Sequence, residues 1–257
     1  MNPRLSSSNQ SLNARRSRLS QEISIGGVTD LIYVMSDIHG NRRRFNSVMS
    51  QIDLKPEDTL YILGDVVDRY PFGVEILQRI MKMPNVKMLK GNHEVMFEFA
   101  VKTGRKDLWF WNGGEHTYNA YQNLPQKQRE EMVKYIESLP INIDIEVNGV
   151  KYKLVHGSPS KWYHELRNDY GSEAEYAVWE RMDLFHAAEC DYVTIFGHTP
   201  TTYYQNDHIA SIWYGKNAIG IDCGSGFKSD KKRVYRLGCL RLDDMTEFYS
   251  DEGCDSL

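Results

Sequence analysis

Leu31-Ile32-Tyr33-Val34-Met35-Ser36-Asp37-Ile38-His39-Gly40 is an apolar run that stops on an aspartate and a histidine two residues apart. The same pattern recurs four more times. Thr59 to Leu63 runs into Gly64-Asp65-Val66-Val67-Asp68-Arg69, and Val86 to Leu89 is followed by Gly91-Asn92-His93-Glu94. Tyr152 to Val155 runs into His156-Gly157, and Tyr192 to Phe196 into Gly197-His198-Thr199-Pro200. Short apolar runs bounded by turn residues read as buried strands. Five strand ends thus set oxygen and imidazole ligands along one sheet edge, where open α/β sheets hold their ligands. Between the first three runs, Phe45, Val48, Met49 and Ile52 make one apolar helical face, and Val74, Leu77, Ile80 and Met81 make another. Strand, helix, strand, helix, strand over Leu31 to Leu89 is a βαβαβ unit with parallel strands.

Further along, residues 95–139 read as a helical insert over the site, broken at Gly113-Gly114, with Pro125 and Pro140 bounding its last helix. The chain then turns antiparallel. Ile141, Ile143, Ile145 and Val147 alternate with polar residues, Asn148-Gly149 follows, and Val150, Tyr152 and Leu154 alternate again. Asn-Gly between two such runs is a strong hairpin signal. A last hairpin is expected over Val234 to Tyr249, turning near Asp243-Asp244.

The 257 residues are 41% hydrophobic, enough for one α/β domain over residues 28–257 with a sizeable core. A net charge of −4 argues against an electrostatic nucleic-acid binder. No apolar stretch approaches the roughly 18 residues that mark a membrane span. Cys190, Cys223, Cys239 and Cys254 have no framework spacing and read as reduced thiols of a cytoplasmic protein. Residues 1–27, with Arg4, Arg15, Arg16 and Arg18 among Ser, Asn and Gln, read as a disordered tail without the apolar core of a signal peptide.

Two divalent cations about 3.5–4 Å apart need a shared ligand, and a carboxylate serves. Asp65 is the candidate bridge. Asp37 and His39, two apart at the end of an extended strand, point the same way and can grip one ion. Asn92, His156 and His198 would complete the other. Mixed imidazole and carboxylate ligation suits Mn²⁺, Fe or Zn²⁺ better than Ca²⁺, and Mn²⁺ is the first expectation.

The ordered set resembles the calcineurin-like metallophosphoesterases, and within them the phosphoprotein phosphatase group and its bacterial relatives. The strings Gly64-Asp65-Val66-Val67-Asp68-Arg69 and Gly91-Asn92-His93-Glu94 narrow the resemblance, which covers about Ile32 to Gly224. It implies a four-layer α/β/β/α sandwich with mixed sheets. It assigns Asp37, His39 and Asp65 to the first metal, and Asp65, Asn92, His156 and His198 to the second. It further implies that His93, oriented by Asp68, gives a proton to the leaving oxygen, and that Arg69 and Arg181 bind the phosphoryl group. An imidazolium held by a carboxylate is a good general acid near neutral pH. The expected activity is a metal-dependent phosphatase acting on Ser/Thr, and also Tyr, phosphoprotein or phosphopeptide. A symmetrical diadenosine tetraphosphate hydrolase, acting on a dinucleoside polyphosphate, is the alternative, and a non-catalytic scaffold on the same fold the remote one.

Two departures stand out. Tyr70-Pro71 follows the motif arginine where the relatives have glycine, which is expected to put a ring beside the mouth of the site. Gly197-His198-Thr199-Pro200 replaces the Gly-His-x-His of broader metallophosphoesterases. Trp109 and Trp111 read as core or lid packing, with stacking on adenine as the alternative. Arg42-Arg43-Arg44 reads as a solvated helix face, with a second phosphate as the alternative. Gly224-Ser225-Gly226 is too short for a nucleotide loop, and His116, His164, His186 and His208 read as surface or satisfied core residues.

Overall fold

The computed structural model describes residues 30–251, so the readings of the tail and of Cys254 lie outside the described residues. The first half lays down β1 (Ile32–Met35), α1 (Arg42–Ile52), β2 (Thr59–Ile62), α2 (Gly73–Ile80) and β3 (Val86–Met88). The insert follows as α3 (Asn92–Thr103), α4 (Asp107–Trp111), α5 (Glu115–Gln122) and α6 (Gln126–Ser138). Then come β4 (Asn142–Val147), β5 (Val150–Val155), α7 (Glu173–Trp179), α8 (Leu184–Glu189) and β6 (Val193–Phe196). The chain ends with β7 (Trp213–Gly215), β8 (Ala218–Gly220), β9 (Gly238–Arg241) and β10 (Thr246–Tyr249).

These strands form two five-stranded mixed sheets, ordered β10-β9-β1-β2-β3 and β4-β5-β6-β8-β7. In the first, β1, β2 and β3 are parallel while β9 returns antiparallel to β1. In the second, β5, β6 and β8 are parallel, flanked by the antiparallel β4 and β7. Alternation decides which face each strand shows. Val34, Tyr61 and Leu63 of the first sheet meet Tyr152, Leu154 and Ile195 of the second in one buried layer. On the outer face of the first sheet, Met35, Leu60 and Ile62 meet Phe45, Val48 and Leu77 of α1 and α2. Across the second sheet, Val155 and Phe196 pack on Trp162, Tyr176 and Ala187. The result is the α/β/β/α sandwich.

The β4–β5 hairpin turns at Asn148 (φ 51°) and Gly149 (φ 74°), the left-handed pair that a two-residue turn needs. The last hairpin is shorter than its sequence suggests. Only Gly238–Arg241 pairs with Thr246–Tyr249, whereas Val234 makes an isolated parallel bridge to Ile209. Backbone hydrogen bonds from Ala210 to Val234 and from Arg236 to Cys223 hold that stretch against other loops. The insert's apolar faces, including Phe97, Trp109, Tyr121, Met132 and Ile136, join the same layer as α1 and α2.

Leu154 is fully buried between the sheets. Leu154→Ala should lower stability by about 2–5 kcal/mol, seen as a fall in the urea midpoint at unchanged m-value.

Candidate metal centre

The five motifs meet because β1, β2, β3, β5 and β6 end at one rim. The first two loops are joined by backbone bonds: Asp37 N–H donates to Gly64 O (3.2 Å), His39 N–H to Asp65 O (2.9 Å) and Gly40 N–H to Val66 O (2.8 Å). Of the ten non-glycine residues with positive φ among the described residues, six are Asp37, His39, Asp65, Asp68, Arg69 and His198. Each such backbone is strained, and strain of this kind clusters at functional sites. Two motif glycines are there for room. A Cβ on Gly91 would lie 2.2 Å from Asp65 Oδ1, and one on Gly197 would lie 2.3 Å from Asp37 Oδ2.

Three imidazoles are oriented alike. His39 Nδ1 donates to Val67 O (3.2 Å), His156 Nδ1 to Leu63 O (2.8 Å) and His198 Nε2 to Trp179 O (3.1 Å). A backbone carbonyl can only accept, so in the neutral ring the opposite nitrogen presents a lone pair. Those lone pairs face further acceptors. His156 Nε2 is 2.9 Å and His198 Nδ1 is 3.0 Å from Asn92 Oδ1. His39 Nε2 is 3.7 Å from Asp37 Oδ1 and 3.6 Å from Asp65 Oδ2, and His156 Nε2 is 3.4 Å from Asp65 Oδ1. Donor atoms about 2.0–2.2 Å from a common ion lie about 3–3.6 Å from one another. The donor set fits divalent ions in number, chemistry and spacing. Two groups of convergent ligand atoms, His39–Asp65–His93 and Asp65–His156–His198, share Asp65.

The charges are strongly coupled. Burial opposes ionisation of Asp65, yet His156 and His93 hold its carboxyl well below the usual range. Against burial, Asp65 pushes His156 up to about 10, a proton that a cation in the same place would replace. Burial, aided by the charge on His156, takes His198 down to about 3, and burial with Arg69 takes His39 well below its ordinary value. Burial also raises Asp37.

His93 differs from the other three. Its Nδ1 lies 2.6 Å from a carboxylate, Asp68 Oδ2, which also accepts from Trp109 Nε1 (2.8 Å). Burial disfavours its charge, but Asp65 and the Asp68 bond outweigh that and raise it. Its Nε2 faces Asp65 Oδ2 at 3.8 Å. Asp68 is held in turn by its N–H on Thr117 Oγ1 (2.9 Å). Arg69 is partly buried, with its N–H on Gly113 O (3.0 Å) and its Cζ 4.8 Å from the centre of the Phe227 ring. Arg181 follows α7, is exposed, and lies with Cζ 4.8 Å from the Tyr203 ring centre. A cleft of about 280 Å³ is lined by Pro200, Thr202, Tyr203, Phe227, Arg233 and Tyr235, so it shares the Phe227 ring with Arg69 and the Tyr203 ring with Arg181.

Trp109 is buried in the core as its sequence reading expects, with its indole also serving Asp68. Other residues differ from their sequence reading: Trp111 is 85% exposed. Arg44 is buried, not solvated, and Arg42 pairs with Glu75 at 2.8 Å. Tyr70 does not hang at the mouth: its ring is buried and its hydroxyl reaches Phe227 O (3.4 Å). Two buried carboxylates close to Asp65 and Asp37 had no role in the sequence reading. Glu94 accepts from Gly91, Asp65 and Val66 N–H at 2.9, 2.8 and 3.0 Å, and burial beside Asp65 pushes it up to about 7. Its signal was present: a Glu three residues after a helix N-cap. Asp222 accepts from Gly224 N–H (2.8 Å) and is raised well above its ordinary value by burial and Asp37. Only the fold brings it there.

The family model described as calcineurin-like phosphoesterase matches residues 31–224. Serine/threonine-protein phosphatase 2 of Escherichia coli K12 is 32% identical over 126 residues, 49% of this chain and 57% of that protein. A symmetrical bis(5'-nucleosyl)-tetraphosphatase of Acidovorax ebreus is 27% identical over 153 residues, 58% of this chain and 52% of that one. The chain therefore spans a little over half the length of each of these two relatives. A serine/threonine phosphatase structure from Saccharomyces cerevisiae shares the fold at TM-score 0.59 and 13% identity, covering 93% of this chain and 87% of that one.

Glu94→Ala would strand three buried N–H donors, each costing about 1–3 kcal/mol. The expected outcome is a large drop in thermal midpoint together with reduced metal content by elemental analysis. Unchanged stability would mean that water replaces the carboxylate at no cost.

Proposed function

The chain belongs to the calcineurin-like phosphoesterase family and is a hydrolase of phosphoric esters; from that premise we propose a two-metal phosphomonoesterase that acts on phosphoserine and phosphothreonine, and also phosphotyrosine, in proteins. The observation that carries it is the single buried carboxylate of Asp65, one oxygen turned toward His39 and the other toward His156, with the His93–Asp68 pair at its side. Asp37, His39 and Asp65 would hold one ion, and Asp65, Asn92, His156 and His198 the other, Mn²⁺ being the first choice. Bound there, two such cations supply charge neutralisation and activation of water.

The chain's own residues then do the following. Arg69 and Arg181 present guanidinium forks to the non-bridging phosphoryl oxygens, fixing the ester in line for attack. Both oxygens of the Asp65 carboxylate are turned toward imidazole nitrogens. His93 carries its proton on the ring whose other nitrogen is held by Asp68, and delivers it to the departing alkoxide as the P–O bond breaks. Trp109 and Thr117 keep Asp68 from turning away.

The phosphoprotein reading is favoured over a dinucleotide because most of the groups that might have seated a second nucleotide are committed, the exposed Trp111 excepted. Trp109 serves Asp68, Arg42 pairs with Glu75, and Arg44 is buried. The dinucleoside polyphosphate reading draws on the second relative's name and on the aromatic cleft with Arg233.

Chelation should abolish activity, and Mn²⁺ should restore it best. Full turnover by protein shown metal-free by elemental analysis would refute the two-metal reading. His93→Asn should leave metal content intact and slow turnover by about 10²–10⁴, with a smaller loss on an aryl phosphate, whose phenoxide leaves without protonation. Loss of metal in that variant would make His93 a ligand. Phosphopeptides should show a higher kcat/KM than diadenosine tetraphosphate, and a tenfold preference for the dinucleotide would reverse the choice of substrate while leaving the metal chemistry standing.

A further inference from the structure

Arg44 is 1% exposed, although it stands in the first turn of a helix beside two other arginines. Its Nη1 donates toward Ser225 O (2.8 Å), Phe227 O (3.1 Å) and Gly224 O (3.3 Å), and its Nη2 reaches Ser229 Oγ (3.4 Å). A buried guanidinium with several donors on one loop fixes that loop, because each bond it lost would leave a desolvated charge. The far side of the loop lies on the site. Ser225 Oγ donates to Ile38 O (3.2 Å), between Asp37 and His39. A Cβ on Gly226 would sit 2.5 Å from His39 Cδ2 and 2.7 Å from Arg69 Nη1. Phe227 places its ring under the Arg69 guanidinium, and its carbonyl receives the Tyr70 hydroxyl.

We propose that Arg44 is a positioning residue for phosphate binding: it clamps the loop of residues 224–229, and the loop, through Gly226 and Phe227, holds the Arg69 side chain in its binding pose. The proposal rests on the reading of Arg69 as a phosphoryl-binding residue. Arg69's backbone is tied to Gly113 from the other side, so its long side chain is what the loop orders. Such a chain loses much rotamer freedom on binding, and a wall that orders it beforehand improves affinity without touching the chemical step.

The test uses Mn²⁺-loaded full-length protein, an aryl phosphate as substrate and orthophosphate as competitive inhibitor. Arg44→Met should raise the orthophosphate inhibition constant and KM about three- to tenfold, with kcat and metal content near wild type, and Arg44→Lys should rescue part of the loss. Because Arg44→Met removes a buried charge and can fail to fold, Phe227→Ala is the second variant. Phe227 is 39% exposed, and its loss should weaken orthophosphate binding to a similar degree. In an Arg69→Ala background, neither change should weaken it further, since both act through the same guanidinium. Additive losses in that background, or an unchanged inhibition constant in Phe227→Ala, would overturn the clamp. If Arg69→Ala itself leaves orthophosphate binding unchanged, the role of Arg69 fails and the clamp falls with it, an outcome distinct from additivity.

Discussion

The rest of the structure is arranged around the burial of Asp65, a carboxylate 1% exposed with Asp37, Glu94 and Asp222 buried close by. Placing several carboxylates in a low-dielectric space is costly unless charge or hydrogen bonds compensate. Here imidazoles surround Asp65, backbone N–H groups converge on Glu94, and the Gly224 N–H meets Asp222. Divalent ions would supply the remaining compensation. The two oxygens of this one carboxylate face different imidazoles, His39 on one and His156 on the other.

Glu94 shows how tightly that arrangement is built into the chain. Its oxygens receive N–H groups from the ends of two different strands, so the loop after β2 and the start of α3 cannot move independently. The same N-terminal turn carries Asn92 and His93, one facing His156 and His198, the other facing Asp68. Asn92 and His93 are therefore placed by one helix start, and their spacing is as rigid as the helix.

The insert contributes to the site through a buried indole, a glycine carbonyl and a threonine hydroxyl. Trp109 is packed against Phe97 with ring centroids 5.4 Å apart, and the indole N–H of that packed ring fixes Asp68. Gly113 and Thr117 then receive the N–H groups of Arg69 and Asp68. Two consecutive residues with positive φ are held in that strained conformation by a neighbouring helical segment. Packing energy in the outer core thus stabilises the Asp68–Arg69 geometry at the rim.

Much of this was legible along the chain. The alternation of strands and helices from Leu31 to Leu89, the Asn148-Gly149 hairpin and the convergence of Asp37, His39, Asp65, Asn92, His156 and His198 follow from local rules: hydrophobic period, turn chemistry, and motifs at strand ends. Those rules act over a few residues and survive in the linear order. What the linear order did not contain is which side chain meets which across the fold. Arg44 and Trp109 looked like a surface cation and a packing ring. Their polar atoms instead reach Ser225 O, 181 positions away, and Asp68, 41 positions away. Tyr70 looked like a ring at the mouth and is instead buried, with its hydroxyl on Phe227 O. The shift of Asp222 into the cluster depends on β8 lying beside β6, a register set only when the second sheet assembles. Sequence by itself determined the elements and the polar residues at their ends; tertiary structure decided which buried polar groups had to be satisfied, and by whom, because that cost exists only once water has been excluded.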